Sequence, residues 1–152
     1  MSVLIRVARA DEVPEVLALA VAFYAEDGFT TPARELAANL RVLMSSPAAR
    51  VAVAVSEAAE PGVVGFAVTT TSFGLENGLI AELEDLFVVP SRRGAGVGRA
   101  LIEDSVAWAA GAGCHHVELV VAPNGQDVSH LFDLYARFGF DDGGRRLLVR
   151  EF

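Results

Sequence analysis

Leu83-Glu84-Asp85-Leu86-Phe87-Val88-Val89-Pro90-Ser91-Arg92-Arg93-Gly94-Ala95-Gly96-Val97-Gly98-Arg99-Ala100-Leu101 is the stretch whose reading decides the fold. It reads as the end of a strand stopped by Pro90, then a loop with glycine at 94, 96 and 98, then a helix that begins inside that loop. Glycines at this spacing let a ligand approach the backbone closely and leave several N–H groups aimed into one space. The helix N-terminus adds about half a positive charge there. Arg92, Arg93 and Arg99 add more. Such a loop suits a pyrophosphate.

Upstream, Leu79 to Val89 is a long strand candidate carrying Glu82, Glu84 and Asp85. Period-two alternation puts Glu82 and Glu84 on one face and Asp85 on the other, unless a bulge intervenes. Three acids so close together on a central strand are costly without a task. Further out, Ser2–Val7 alternates as a first strand. Asp11 is placed to cap a helix through Val16, Leu17, Leu19, Ala20 and Phe23, which Gly28 ends. Thr31-Pro32 starts a second helix with Leu36, Leu40, Leu43 and Met44 as its buried stripe. Val51–Val55 and Val63–Thr71 read as a hairpin around Glu60-Pro61-Gly62. The glycine-loop helix runs from about Gly96 to Ala110, with Val97, Leu101 and Trp108 inward. Val117–Val121 reads as a buried central strand, Val128–Phe138 as a last helix with Asp127 as its cap, and Arg145–Phe152 as a final strand. The order β-α-α-β-β-β-α-β-α-β describes one α+β domain over residues 1–152.

Composition bounds the function. The 152 residues hold 20 acids against 12 basic residues, all arginine, for a net charge of −8. That balance argues against a nucleic-acid or anionic-membrane partner. Without lysine, Schiff-base chemistry on this chain is excluded, as is a Walker A loop, which needs Gly-Lys-Ser/Thr. A Rossmann loop belongs after the first strand and not the fourth. One cysteine cannot form an intrachain disulfide. No run approaches the ~20 apolar residues that span a bilayer, and Met1–Arg9 reads as a strand rather than a signal peptide, so the expected compartment is the cytoplasm. Cys114, His115, His116 and His130 suggest no metal site, because adjacent histidines on a strand point to opposite faces.

Leu83 to Pro90 with Arg93 to Leu101 resembles the acetyl-CoA signature of the GNAT N-acetyltransferase superfamily, and Tyr135-x-x-x-Gly139-Phe140 resembles a second hallmark of it. The resemblance covers almost the whole chain. It implies a mixed central sheet of six to seven strands flanked by about four helices, with the fourth and fifth strands splayed apart. It implies acetyl-CoA as cosubstrate, held by backbone N–H groups of Arg93, Gly94, Ala95, Gly96, Val97 and Gly98. Arg92 and Arg99 would supply charge nearby, and the backbone at Phe87, Val88 and Val89 would pair with the pantetheine arm. Two positions depart from the family pattern: Ser91 replaces a frequent Gln or Arg, and Val128 replaces a frequent Asn. Asn124 is an alternative contact for pantetheine, or a turn residue.

The same resemblance carries the chemistry. An alkyl amine is mostly protonated near neutrality, so a base must remove a proton before attack on the thioester. The Leu-Glu-Asp string is most similar to the spermidine/spermine and diamine N-acetyltransferase branch, which maps the base onto Glu84, with Glu82 and Asp85 as alternatives. The backbone N–H of Val88 is the candidate oxyanion donor. Tyr135 matches the general acid by its motif. The expected acceptor is a primary amine on a small cation: polyamine, diamine, amino acid or amine antibiotic. A protein or peptide N-acetyltransferase and a non-catalytic acyl-CoA sensor are the alternatives. A homodimer is expected by resemblance only.

Overall fold

The computed structural model describes residues 2–58, 61–123 and 125–152; Glu60 of the first expected turn and Asn124 lie outside them. The chain divides into two units, one running to Val120 and the other spanning Val121–Phe152.

In the first unit, five strands form one mixed sheet in chain order: β1 (Val3–Val7), β2 (Ala49–Ser56), β3 (Val63–Gly74), β4 (Gly78–Val88) and β5 (Val117–Glu118). The first three pairings are antiparallel, and β5 lies parallel to β4. Alternation sorts the β2 residues. Val51 and Val53 join Phe66, Val68 and Phe87 in a core with residues of α1 (Val13–Glu26) and α2 (Ala33–Ser45). Ala52 and Ala54 turn to the other face, where α3 (Val97–Gly111) packs. Val16 of α1 is fully buried, and Leu17, Leu19, Ala20 and Phe23 pack against the core as the 3.6-residue period predicts. Leu36 and Leu40 of α2 are buried, joined by Ala37, while Leu43 and Met44 are partly buried. On α3, Val97 and Leu101 are buried and Trp108 is half-buried. Arg50 of β2 ties the sheet to α3 through paired contacts of 2.8 Å to Asp104.

Helix ends follow local chemistry. Gly28 at φ +79° lets the chain turn after α1, and the Phe29 N–H donates to the Tyr24 carbonyl at 2.8 Å. Asp11 does not cap α1. A short 3-10 turn, Ala10–Glu12, comes first, and the Glu12 carboxylate accepts the Arg9 backbone N–H at 2.7 Å and the Arg6 guanidinium at 2.8 Å.

Six to seven strands are not found: the described residues give five. The run Val117–Val121 pairs only at Val117 and Glu118, opposite Ala81 and Glu82, and it is a half-buried edge rather than a buried centre. Arg145–Phe152 forms no strand, and its Leu147, Leu148 and Val149 side chains are exposed. Alternating or apolar sequence is compatible with a strand, but a strand exists only where a neighbour takes its N–H and C=O groups.

The second unit contains α4 (Ser129–Ala136). Asp127 caps it from two residues upstream, its carboxylate accepting the Ser129 N–H at 3.0 Å. Gly139 at φ +85° ends the turn that follows, and Phe140 folds back so that its ring meets Tyr135 edge-on at 5.9 Å.

The Arg6 guanidinium and the Arg9 N–H hold the Glu12 carboxyl down at about 2. A carboxyl depressed in the folded state adds stability above its unfolded value and loses it as pH falls toward the folded one. Glu12→Gln therefore lowers Tm at neutral pH by roughly 5 °C, for a lost contact worth about 2 kcal/mol. In thermal melts the gap to wild type closes as pH falls from 4.5 toward about 2. A gap unchanged at about pH 2 would show that the ion pair is not its source.

Candidate active site

The pairing of β3 with β4 contains an irregularity. Val68 lies opposite Asp85, but Thr69 lies opposite Leu83, so Glu84 is an extra residue without a partner. Directly opposed residues share a face, and so do residues two apart on one strand. Val68 and Thr70 therefore share a face, and so do their partners Asp85 and Glu82. Thr70 Oγ1 donates to Glu84 Oε1 at 2.7 Å, which brings the third acid to that side. The bulge thus gathers Glu82, Glu84 and Asp85 on the face that α1 covers, where simple alternation would have sent Asp85 to the other.

These acids are not simply solvated. The Tyr24 hydroxyl, on α1, donates to Asp85 Oδ1 at 2.8 Å. Burial raises the Asp85 carboxyl above its usual range, the Tyr24 bond pulls it down, and the charges of Glu84 and Asp27 push it up. Glu82 is raised by burial first, then by Glu84 and Glu118. Glu118 stands beside Glu82 across the β4–β5 pairing. The Tyr24 hydroxyl is itself raised, by burial and then by Asp85. Tyr24, Thr70 and Glu118 escaped the sequence reading. Tyr24 carried a signal: it sits four residues after Ala20 on the apolar stripe, with a polar tip. Thr70, inside a run of three threonines, carried none.

Other charged neighbours divide. Glu26 is taken by Arg93 in a two-pronged ion pair at 2.9 Å, while Glu35 is exposed in the first turn of α2. His115 and His116 precede β5 rather than lie on it, and they do not point to opposite faces. Their Nδ1 atoms are 3.0 Å apart, and His116 Nε2 is 3.1 Å from Glu118. Among the described residues no group of three or more His, Cys, Asp or Glu side chains is arranged to hold a metal. Cys114 is half-buried.

The loop after β4 has the geometry of an anion cradle. Gly94 and Gly96 take φ of +77° and +84°, where a side chain is strained, and Gly96 stands directly before α3 without a side-chain cap. The N–H groups at the start of α3 are therefore left for a ligand. The Val89 N–H donates to the Val64 carbonyl on β3 at 2.9 Å, so alternation turns the Val88 N–H to the opposite edge. There β5 pairs no further along than Glu82, and among the described residues no strand pairs with β4 on that edge at Phe87 and Val88. The Arg93 N–H, expected in the cradle, instead donates to the Pro90 carbonyl at 3.3 Å, because a 3-10 turn ends there; the unpaired edge and the N–H groups that follow fit an extended ligand ending in a pyrophosphate. Arg93 is used internally: Nε donates to the Val88 carbonyl at 2.9 Å, and its guanidinium lies 5.4 Å from the centre of the Phe87 ring. Arg99 pairs with Glu103 on the helix surface at 2.7 Å, an exposed contact that water and salt screen.

In the second unit, burial raises the Tyr135 hydroxyl above its ordinary value.

Residues 13–140, a span that runs through both units, match the model of the acetyltransferase (GNAT) family. The chain belongs to the GNAT family. It is therefore an N-acetyltransferase, and acetyl-CoA is the cosubstrate that GNAT enzymes use. Solved structures agree in fold. An integron cassette protein from the mobile metagenome of Cole Harbour Salt Marsh is 28% identical, with a TM-score of 0.82 over 97% of this chain and 89% of its own. The aminoglycoside N-acetyltransferase AAC(6')-Iy, solved with a bisubstrate analogue, is 19% identical, with a TM-score of 0.84 over 99% of each chain. The aminoglycoside 6'-N-acetyltransferase AAC(6')-Ih from Acinetobacter baumannii is 17% identical, with a TM-score of 0.81 over 99% of this chain and 98% of its own. No curated protein matches the GNAT chain by sequence.

Two outcomes follow from this geometry. A Cβ on Gly65, which lies opposite Val88, would meet the Phe87 carbonyl oxygen at 2.8 Å. Gly65→Ala therefore displaces β4 beside the loop, lowering stability by about 1–3 kcal/mol and weakening CoA binding in calorimetry. Unchanged CoA affinity would separate that edge from the ligand. Glu82, raised in the folded state, loses stability for the fold as pH climbs through its titration. Glu82→Gln accordingly raises Tm at pH 7, and the gain vanishes below about pH 4, where both states are protonated. A variant less stable than wild type at pH 7 would contradict that sign.

Proposed function

We propose that this enzyme transfers the acetyl group of acetyl-CoA to a primary amine of a small cationic acceptor: a polyamine, a diamine, an amino acid or an amine antibiotic. The observation that carries the reading is the bulge at Glu84, which collects Glu82, Glu84 and Asp85 on one face. Burial first, and then repulsion by Glu84, raises both Glu82 and Asp85, and the positive charge of a bound ammonium group would offset both effects. The similarity of the Leu83–Val88 string to the spermidine/spermine and diamine branch supports a polyamine or diamine. The aminoglycoside acetyltransferases among the structural neighbours support the wider class of polycationic amines.

Each residue has a task in this reading. Gly94 to Gly98 and the first turn of α3 bind the pyrophosphate, and the open edge at Phe87, Val88 and Val89 holds the pantetheine arm. Acetyl-CoA supplies the acetyl group as a thioester. Glu84 takes one proton from the acceptor ammonium, leaving a neutral nitrogen with a lone pair. That nitrogen bonds to the carbonyl carbon, the carbon–sulfur bond breaks, and the Val88 N–H faces the oxygen as its charge grows. The likeness of Tyr135-x-x-x-Gly139-Phe140 to the family hallmark makes Tyr135 the acid that protonates the departing sulfur, and the second proton lost by the nitrogen replaces the one it gives. The products are the acetamide, CoA thiol and one net proton. A cytoplasmic homodimer is part of the same proposal.

Thiol release from acetyl-CoA, measured with spermidine, 1,4-diaminobutane, lysine, neamine and a set of basic peptides, tests the reading. Turnover with a small amine and not with peptides is the expected result. Turnover with peptides alone, or CoA binding with no turnover, would overturn it. Glu84→Gln lowers kcat by about 100-fold near neutral pH with CoA affinity unchanged. The deficit narrows toward pH 10, where an alkyl amine loses its proton to solvent unaided. A deficit that is constant across that range would remove Glu84 from the base role.

A further inference from the structure

Residues 69–71 of β3 are all threonine, yet their hydroxyls are used differently. Thr69 is buried against Leu83 on the α3 side, and its Oγ1 has no partner among the described residues. Thr71 Oγ1 donates to the Ala48 carbonyl at 3.2 Å, which fixes the strand to the turn before β2. Thr70 alone turns to the acids: its hydroxyl donates to Glu84 Oε1 at 2.7 Å. Its backbone partner is Glu82 and not Glu84, so the bond runs diagonally to the bulged residue.

A bulged residue lacks the pairing that would otherwise fix its backbone and side chain. Glu84 is the exposed member of the acid group, and a free glutamate side chain has many rotamers. The Thr70 bond removes much of that freedom. Thr70 has a stiff χ1, set by its branched Cβ on a regular strand. The bond also occupies one carboxylate oxygen. The second oxygen has no hydrogen-bond partner among the described residues, and Asp85 beside it is held by Tyr24.

We propose that Thr70 is the positioning residue of the reaction: its hydroxyl holds Glu84 Oε1 and presents Oε2 to the acceptor ammonium. The inference rests on Glu84 being the base. Thr70 does not touch the reacting atoms; it acts through Glu84 alone. The proton passes from nitrogen to Oε2, and the Thr70 hydroxyl keeps its own proton throughout.

The test is a double-mutant cycle on the full chain, with acetyl-CoA and spermidine or whichever amine of the panel above is turned over fastest. Thr70→Val keeps shape and strand preference while removing the donor. It lowers kcat by about tenfold or more, with the KM for acetyl-CoA unchanged. Thr70→Ser, which restores the hydroxyl, recovers activity to within about threefold of wild type. In a Glu84→Gln background, Thr70→Val has no further effect on kcat. If Thr70→Val fails to fold, Thr70→Ala replaces it in the same cycle. Wild-type kcat in Thr70→Val, or an equal loss with and without Glu84, would overturn the inference. Failure of the base reading is distinct: Glu84→Gln then turns over normally, or no amine is acetylated, and the role of Thr70 falls with it.

Discussion

Between Leu83 and Asp85, β4 has one more residue than β3 has partners for, and the alternation of side chains is reset there. Most of what distinguishes the acid face follows from that single insertion. Without it, Asp85 would point toward α3, into a layer built from Val97, Leu101 and Ile102, where an ionised carboxylate has no partner. With it, Asp85 meets the Tyr24 hydroxyl, Glu84 meets Thr70, and Glu82 stays on the same side. The bulge therefore avoids a buried charge and concentrates three charges where α1 and β5 bring more acid. Burial, and after it repulsion by Glu84, raises both Glu82 and Asp85 there, while the Tyr24 hydroxyl pulls Asp85 partly back.

The other half of the site depends on a missing neighbour. β5 pairs with β4 at two positions only, so among the described residues no strand pairs with that edge of β4 at Phe87 and Val88. The loop that continues from it uses two left-handed glycines to turn directly into α3. Arg93 links these parts. Its side chain takes the Val88 carbonyl, lies near the Phe87 ring and reaches Glu26 at the end of α1. The open edge, the glycine loop and the helix that carries Tyr24 are thus braced by one guanidinium, and Arg93 holds the cradle as much as it charges it. Arg99, at the start of α3, stands in an exposed pair with Glu103.

Much of the first unit was legible in the residues. The Val51 and Val53 alternation, the Val16–Phe23 stripe, the glycine loop and the order of elements all express local periods that survive folding. The misses share one cause. The runs at Val117–Val121 and Arg145–Phe152 have strand-like side chains, but pairing is a property of two segments, and only Val117 and Glu118 find a partner. Likewise His115 and His116 read as strand residues, but β5 begins at Val117. Asp11 has the right chemistry for a cap, but a 3-10 turn precedes α1, and the Glu12 carboxylate closes that turn by accepting the Arg9 N–H while it pairs with Arg6.

The sequence by itself determined the family, the position of the anion loop and the identities of the acids, because glycine, proline and hydrophobic period act over a few residues. It left two possibilities for Asp85, since alternation and a bulge are equally compatible with Leu-Glu-Asp-Leu. Only the tertiary structure decided between them. A bulge is a mismatch of register between two strands, and register depends on how Phe66, Val68 and Phe87 pack together under α1. The hydroxyls that serve the acids, Tyr24 and Thr70, lie 61 and 14 residues from their partners. No local pattern spans such distances; only the packed fold brings them within hydrogen-bond reach.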